Sequence, residues 1–314
     1  MLLNILFRIE RKMIRKYFFI IALLVFVIGS LACVDAVKTY SDIKDIVSPV
    51  TKTIVVVPRN VSGLLEVYFV DVGQGDCTIY SYNKVNNMII DAGSGSALSK
   101  VMGFINNLGI KKFDIVIATH PDEDHIGSLD DVIDAFGANK VYAPKITKDT
   151  VAFDNFATAV KNQGIKITIP ISGESFFLGD VSFKILAPNS NEYDITNNYS
   201  IVTRVTYGQN SFLNMGDAEA MSEKEVLSKG YELNSGVVKI GHHGSKTSTS
   251  EEFYSRINPA YSIVSVGKDN KYGHPDKEIM DLISLSSIVY RTDLKGTVSF
   301  SSENGERVSV WTSK

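Results

Sequence analysis

Residues Phe113–Ser128 read F-D-I-V-I-A-T-H-P-D-E-D-H-I-G-S, and no other stretch restricts the chain as much. The apolar run Ile115–Ala118 has the length and β-branched character of a strand buried on both faces. It stops at Thr119, and the next six positions carry His120, Asp122, Glu123, Asp124 and His125. Pro121 keeps a helix from starting cleanly at the strand end, so the spacing predicts a tight loop. Gly127 frees the backbone before a helical pattern over 128–136. Alternating H-x-D-x-D-H is poor turn chemistry but good ligand geometry, and a rigid sheet below would hold such ligands in place. The simpler alternative is a solvated acidic loop with two surface histidines. The remaining histidines weigh against it: His242, His243 and His274 also lie in Gly- or Pro-flanked loops, and none interrupts an apolar helix or strand.

H-P-D-E-D-H-I-G resembles the H-x-H-x-D-H signature loop of the metallo-β-lactamase superfamily, with Asp122 in place of the second histidine. Within that superfamily the chain is similar to the C-terminal hydrolase domain of the ComEC/Rec2 competence proteins. The similarity runs from V-Y-F-V-D-V-G-Q-G-D at Val67–Asp76 to Y-R-T-D at Tyr290–Asp293. It implies an α/β (αββα) sandwich of two mixed β-sheets flanked by helices, with a metal site along one edge of the sheets. It also implies two divalent metal ions, Zn²⁺ or Mn²⁺. His120 and Asp122 match the first-metal ligands, Asp124 and His125 the second-metal ligands, and Asp217 in N-M-G-D the bridging carboxylate. One of His242 and His243 supplies a further ligand; the sequence leaves open which. Asp124 would also serve in catalysis by orienting the attacking water. Asp91, in I-I-D-A-G, matches a structural aspartate that braces the signature loop. Two departures stand out: Asp122 itself, and N-N-Y-S at Asn197–Ser200 where the superfamily places a third histidine. Both move the first site toward oxygen ligands and ions such as Mn²⁺ or Mg²⁺.

Candidates for touching substrate are Ser245, Lys246, Asn270, Tyr272, His274 and Arg291. His274, in Y-G-H-P, is placed to protonate a leaving group or hold a phosphate oxygen, with a structural histidine beside the following helix as the alternative. Lys246 and Arg291 are either phosphate partners or surface charges. Asp71 and Asp76 either brace the site or shape a Gly-rich turn. The G-x-G between them is not followed by a helical pattern, which excludes a dinucleotide fingerprint.

Around these motifs the pattern alternates. Strand-like runs at 66–70, 78–82 and 88–90 precede a helix over 97–108. Helices over 129–136, 149–163, 220–229, 251–257 and 276–285 are separated by further strands, which points to two layered sheets with helices outside. The catalytic domain is expected over 64–314, after a tether at 38–63 with an edge strand near 53–57. Residues 17–34 hold no charge and follow Arg8, Arg11, Lys12, Arg15 and Lys16. Their length, near the ~17–25 residues of a membrane-spanning helix, predicts a cytoplasmic N-terminus and a single-pass anchor within 1–37. A cleaved signal giving a secreted form, or a lipoprotein modified at Cys33, are the alternatives. Two cysteines rule out a disulfide-stapled scaffold. A net charge of −3 argues against tight non-specific grip on duplex nucleic acid.

The reading that results is a membrane-tethered, extracytoplasmic metal-dependent hydrolase. By resemblance its substrate is a phosphodiester, in nucleic acid first. A small or cell-envelope phosphoester, a lactam or an ester is the alternative, as is a non-catalytic metal-binding module of an uptake or envelope complex. No second apolar run of spanning length occurs, so a role in DNA uptake would need a separate channel protein.

Overall fold

The computed structural model describes residues 47–48 and 61–314. β1 (Val47–Ser48), β2 (Leu64–Phe69), β3 (Thr78–Tyr82), β4 (Asn86–Ile90), β5 (Phe113–Ile117), β6 (Ala138–Tyr142) and β7 (Ile167–Thr168) belong to one sheet. β8 (Ser175–Leu178), β9 (Val181–Ala187), β10 (Val202–Tyr207), β11 (Asn210–Asn214), β12 (Val237–Lys239), β13 (Tyr261–Val264) and β14 (Ile288–Arg291) form the second. β15 (Val298–Glu303) and β16 (Val308–Thr312) return to the first, which runs β1-β7-β6-β5-β4-β3-β2-β15-β16. The second sheet runs β14-β13-β12-β11-β10-β9-β8. Each sheet is mixed. β4 to β7 pair in parallel in one, and β11 to β14 do so in the other.

The two sheets meet through an apolar layer that includes Leu65, Val67 and Phe69 of β2, which alternate with outward-facing residues. Tyr80 meets Phe183 edge-to-face at 5.2 Å, and Phe212 meets Phe300 at 6.0 Å, so aromatic rings from both sheets interlock. The outer face of the first sheet is covered by helices Leu98–Asn107, Leu129–Phe136 and Val151–Asn162. Ala220–Ser228, Glu251–Ile257 and Lys277–Ser284 cover the second. The expected sandwich of two mixed sheets is therefore present. Its parallel strands end on one edge, where loops leaving strand ends gather.

The membrane part of the expectation is corrected. No helix among the described residues is long and apolar enough to cross a membrane. The longest of them, Val151–Asn162, has 12 residues, against the ~20 that a bilayer requires. Residues 17–34 and the edge strand near 53–57 lie outside the described residues. The single-pass anchor, the extracytoplasmic placement, the lipid-linked form and the membrane as a partner are therefore not carried forward. The stretch read as a tether contains β1, whose Val47 pairs with Ile167 of β7.

Two local differences bear on the site. The loop after β5 contains a one-turn helix, Glu123–Ile126, where a bare loop was expected. Pro121 does not block it, because Asp122 takes an extended conformation (φ −81°, ψ 145°) and the turn begins only after it. The segment 241–244 is a tight turn in which His242 and His243 both have positive φ, rather than an extended backbone.

Candidate metal centre

Four loops supply the site, all leaving the carboxyl ends of strands: 91–93 after β4, 119–125 after β5, 215–219 after β11 and 240–244 after β12. Asp91, fully buried, braces the second of these. Its carboxylate accepts from the Thr119 backbone N–H at 2.8 Å and the Thr119 hydroxyl at 2.6 Å, and lies 2.8 Å from His125 Nδ1. The turn 71–76 locks onto the same loop. The Asp76 N–H donates to the Asp124 carbonyl at 3.1 Å. At Gly75 (φ +129°), a Cβ would lie 2.2 Å from that carbonyl oxygen, so only glycine fits there.

Asp217 is the hub. Its Oδ2 lies 3.2 Å from His125 Nε2 and 3.3 Å from His243 Nε2. His243 Nε2 is also 3.3 Å from Asp124 Oδ2, and its Nδ1 lies 2.9 Å from the Ser265 carbonyl. With its Nδ1 proton held by that carbonyl, His243 can give up the Nε2 proton and turn a lone pair toward a cation. Among the described residues four overlapping groups could hold a metal: His120, His125 and Asp217; Asp124, His125 and His243; Asp76, Asp91 and His125; and Asp76, Asp217 and His243.

His120 Nε2, His125 Nε2, His243 Nε2 and Asp217 Oδ1 are all buried without a hydrogen-bond partner. Buried polar atoms are rarely left so, and four of them converging is what a cation-binding centre requires. The donor set therefore fits a pair of divalent ions, consistent with a di-metal site. The electrostatics agree. Burial alone would raise the Asp217 carboxyl, but the facing His125 and His243 hold it well below its ordinary range. Burial would lower His125 and His243, yet Asp217 and other carboxylates beside each drive both well above the ordinary imidazole value. Burial and the neighbouring His125 push His120 down to about 4, leaving it neutral. Asp124 is lowered despite its burial, chiefly by His243 and His125.

Asp122 stands apart. Its Oδ1 is 3.8 Å from His120 Nε2 but only 2.8 Å from Lys148 Nζ, and it joins none of these groups. His242 is half-buried and its nearest approach to Asp217 is 3.9 Å. Its Nδ1 is engaged instead by Thr247 at 3.0 Å and Glu219 at 3.2 Å. Where the third superfamily histidine was sought, Asn197 donates to Glu219 at 3.0 Å and Ser200 Oγ accepts from the Asp217 N–H at 3.1 Å.

A polar chamber of about 110 Å³ opens over these groups, walled by Asp122, Asp124, Asp217, His242, His243 and His274. Tyr272 is also on its wall and stacks on His274 at 5.8 Å. His274 Nδ1 has no partner, and burial followed by the neighbouring His242 and His243 lowers its pKa. The other substrate candidates are placed differently. Asn270 is used within its own loop, donating to the Gly267 and His274 carbonyls and accepting from the His274 N–H. Ser245 is buried, its hydroxyl 3.1 Å from that of Thr247, while Lys246 is exposed and anchored through its backbone to Asp276. Arg291 makes a two-point contact with Asp293, at 3.0 and 2.6 Å, away from the chamber wall. Asp71 caps its own turn through the Gly73 N–H and pairs with Lys314 at 2.8 Å.

Sequence reasoning passed over Lys239. It is fully buried on β12, in contact with Asp76, and donates to the Gly216 carbonyl at 3.0 Å. The signal was available, since a lysine inside the apolar run V-V-K-I is almost never buried unpaired. Gln74 and Lys148 were also missed.

The sequence profile of the Metallo-beta-lactamase superfamily matches residues 70–268. ComE operon protein 3 of Bacillus subtilis is 30% identical over 257 residues, covering 76% of this chain and 33% of its own length. Recombination protein 2 of Haemophilus influenzae is also 30% identical, covering 73% of this chain and 28% of that protein. The chain thus spans about a third of the length of these relatives. Among solved structures, the metallo-beta-lactamase fold protein YhfI of Bacillus subtilis superposes with a TM-score of 0.51 at 13% identity. That match covers 80% of this chain and 99% of YhfI, and it shows the fold alone.

Proposed function

The chain belongs to the metallo-beta-lactamase superfamily, as a metal-dependent hydrolase, and on that premise we propose that it cleaves a small phosphodiester. One observation carries this reading: three unpartnered imidazole nitrogens and the Asp217 carboxylate converge under a polar chamber large enough for a phosphoryl group. In this proposal Asp124, His125 and His243 would hold one ion. His120 would hold the other, with Asp217 beside both. A mixed nitrogen and oxygen donor set suits Zn²⁺ or Mn²⁺. When bound, two such ions lower the pKa of water and neutralise charge growing on phosphoryl oxygens.

The chain's own residues do the rest. The Asp91 contact with His125 Nδ1 and the Ser265 contact with His243 Nδ1 fix both rings, so their Nε2 atoms face inward. Asp124, on the chamber wall and ionised, accepts a hydrogen bond from the incoming water and orients it. His274, kept neutral, donates an N–H to a phosphoryl or leaving-group oxygen.

The test is hydrolysis of methyl 4-nitrophenyl phosphate, a phosphomonoester, a chromogenic β-lactam and linear DNA by protein loaded with Zn²⁺ or Mn²⁺. DNA is included because relatives are named for recombination and competence. Turnover of the diester above the monoester and the lactam supports the proposal. A lactam preferred over both esters would replace it.

A further inference from the structure

Lys239 approaches the metal centre from behind, and it is not on the chamber wall. Its side chain is fully buried, and a charge so enclosed persists only where its protons find partners. One partner is the Asp76 carboxylate, which it contacts directly. A second is the Gly216 carbonyl, at 3.0 Å. The next group within reach is Asp217 Oδ1, 3.8 Å away and without a hydrogen-bond partner.

These contacts converge on one corner of the chain. Residues 214–217 turn out of β11 into the site, and Gly216 takes φ +52° there. A Cβ at Gly216 would lie 3.0 Å from Thr119 and 3.1 Å from Ser200, so the corner is packed as well as bent. Its peptide is clamped on both sides. The Gly216 N–H donates to Asn214 Oδ1 at 3.1 Å, and the Gly216 carbonyl accepts from the His242 N–H at 3.2 Å as well as from Lys239. Register fixes the lysine's place, because β12 pairs in parallel with β11 and sets Lys239 opposite Asn214. The carboxylate that follows has two ends. Asp217 Oδ2 faces the Nε2 atoms of His125 and His243, and Oδ1 faces the ammonium.

We propose that Lys239 is a positioning residue for the metal centre. It holds the Gly216 peptide and draws Asp217 Oδ1 backward, which keeps Oδ2 turned toward the histidines; Asp76 is its anchor. The inference rests on the reading of this site as a metal centre, and not on which ester is cleaved.

Mn²⁺ affinity of the full chain, read by competition with a chromogenic chelator and with no substrate present, tests it. An ammonium that was only a nearby charge would repel the ions, so deleting it would tighten binding. One that sets the Asp217 carboxylate has the opposite sign. Lys239→Met is expected to bind Mn²⁺ about tenfold more weakly or worse, as when other supports of metal ligands are lost. That variant also strands the Asp76 charge, so Asp76→Asn and the double variant are measured beside it. The double variant should bind at least about threefold more weakly than Asp76→Asn alone, although part of its stability returns. Tighter or unchanged binding in Lys239→Met overturns the proposal, as does a double variant that binds like Asp76→Asn. Where Lys239→Met does not fold, the second comparison decides. Wild-type protein that takes up no Mn²⁺ or Zn²⁺ overturns the metal-centre reading and this inference with it; variants that bind as well as a metal-binding wild type overturn this inference alone.

Discussion

The ammonium of Lys239 is sealed against the carboxylate of Asp76 directly behind the histidines of the metal centre. Asp76 also lies 3.4 Å from His243 Nδ1 and 3.8 Å from His125 Nδ1. Burial would raise the Asp76 carboxyl, and Lys239 reverses that and keeps it ionised. Removing one partner strands a buried charge, which costs roughly 3–5 kcal/mol. Lys239→Met should therefore lower stability by about that amount, and Asp76→Asn in the same chain should recover part of it. Chemical denaturation of the single and double variants checks this; additive losses would mean that the pair is not coupled.

Asp124→Asn and Asp217→Asn should lower metal content and hydrolysis together, because a neutral amide binds a divalent cation poorly. Elemental analysis beside turnover on one sample is the measurement. Full metal and full activity in both variants would sink the hydrolase mechanism.

His274→Ala should keep its metal and lose turnover, on the order of 10²-fold, toward the lower end of general-acid effects. The loss should shrink when the leaving group is already acidic. A missing ion in this variant would make His274 a ligand.

Metal uptake should release protons. His125 and His243 are raised by their carboxylate partners, so they are charged in the metal-free protein at neutral pH and must deprotonate to bind. Apparent affinity should then rise by about tenfold per pH unit for each proton displaced. In the metal-free protein the sign is the opposite. The same two groups stabilise the fold fully below the ordinary imidazole value, and that contribution is lost as pH rises through their raised values. Calorimetry in buffers of different ionisation enthalpy counts the protons; none released would refute the charge states.

Lys148→Ala should raise affinity for the ion at His120, since it frees Asp122 from its 2.8 Å partner. Competition with a chromogenic chelator reads the change. Weaker binding would show that Lys148 holds Asp122 in place for the ion.

Much of the sandwich was legible because it is written locally. The apolar run of β5, the apolar period of Leu129–Phe136, and the acidic loop between them each occupy adjacent residues. Asp91 was readable from its motif, and it does hold Thr119 and His125. What could not be read is geometry between distant segments. Lys239 meets Asp76 only when β12 docks near the turn after β2. The choice between His242 and His243 depends on a left-handed turn that adjacency in sequence conceals. Arg291 looked like a phosphate partner until its neighbour Asp293 occupied it. The membrane reading rested on the charge-free composition of 17–34 and the basic residues before it, a stretch that lies outside the described residues.

The donors of the centre come from both layers of the sandwich. His120 and His125 follow β5 in one sheet, while Asp217 and His243 follow β11 and β12 in the other. An ion shared among them is a clasp across the layers, and the separated chain has no equivalent. Occupancy thus becomes resistance to unfolding, about 4 kcal/mol at a thousandfold excess over the dissociation constant. A chelator should therefore lower the temperature at which this molecule melts, and that temperature should rise with the free metal around it.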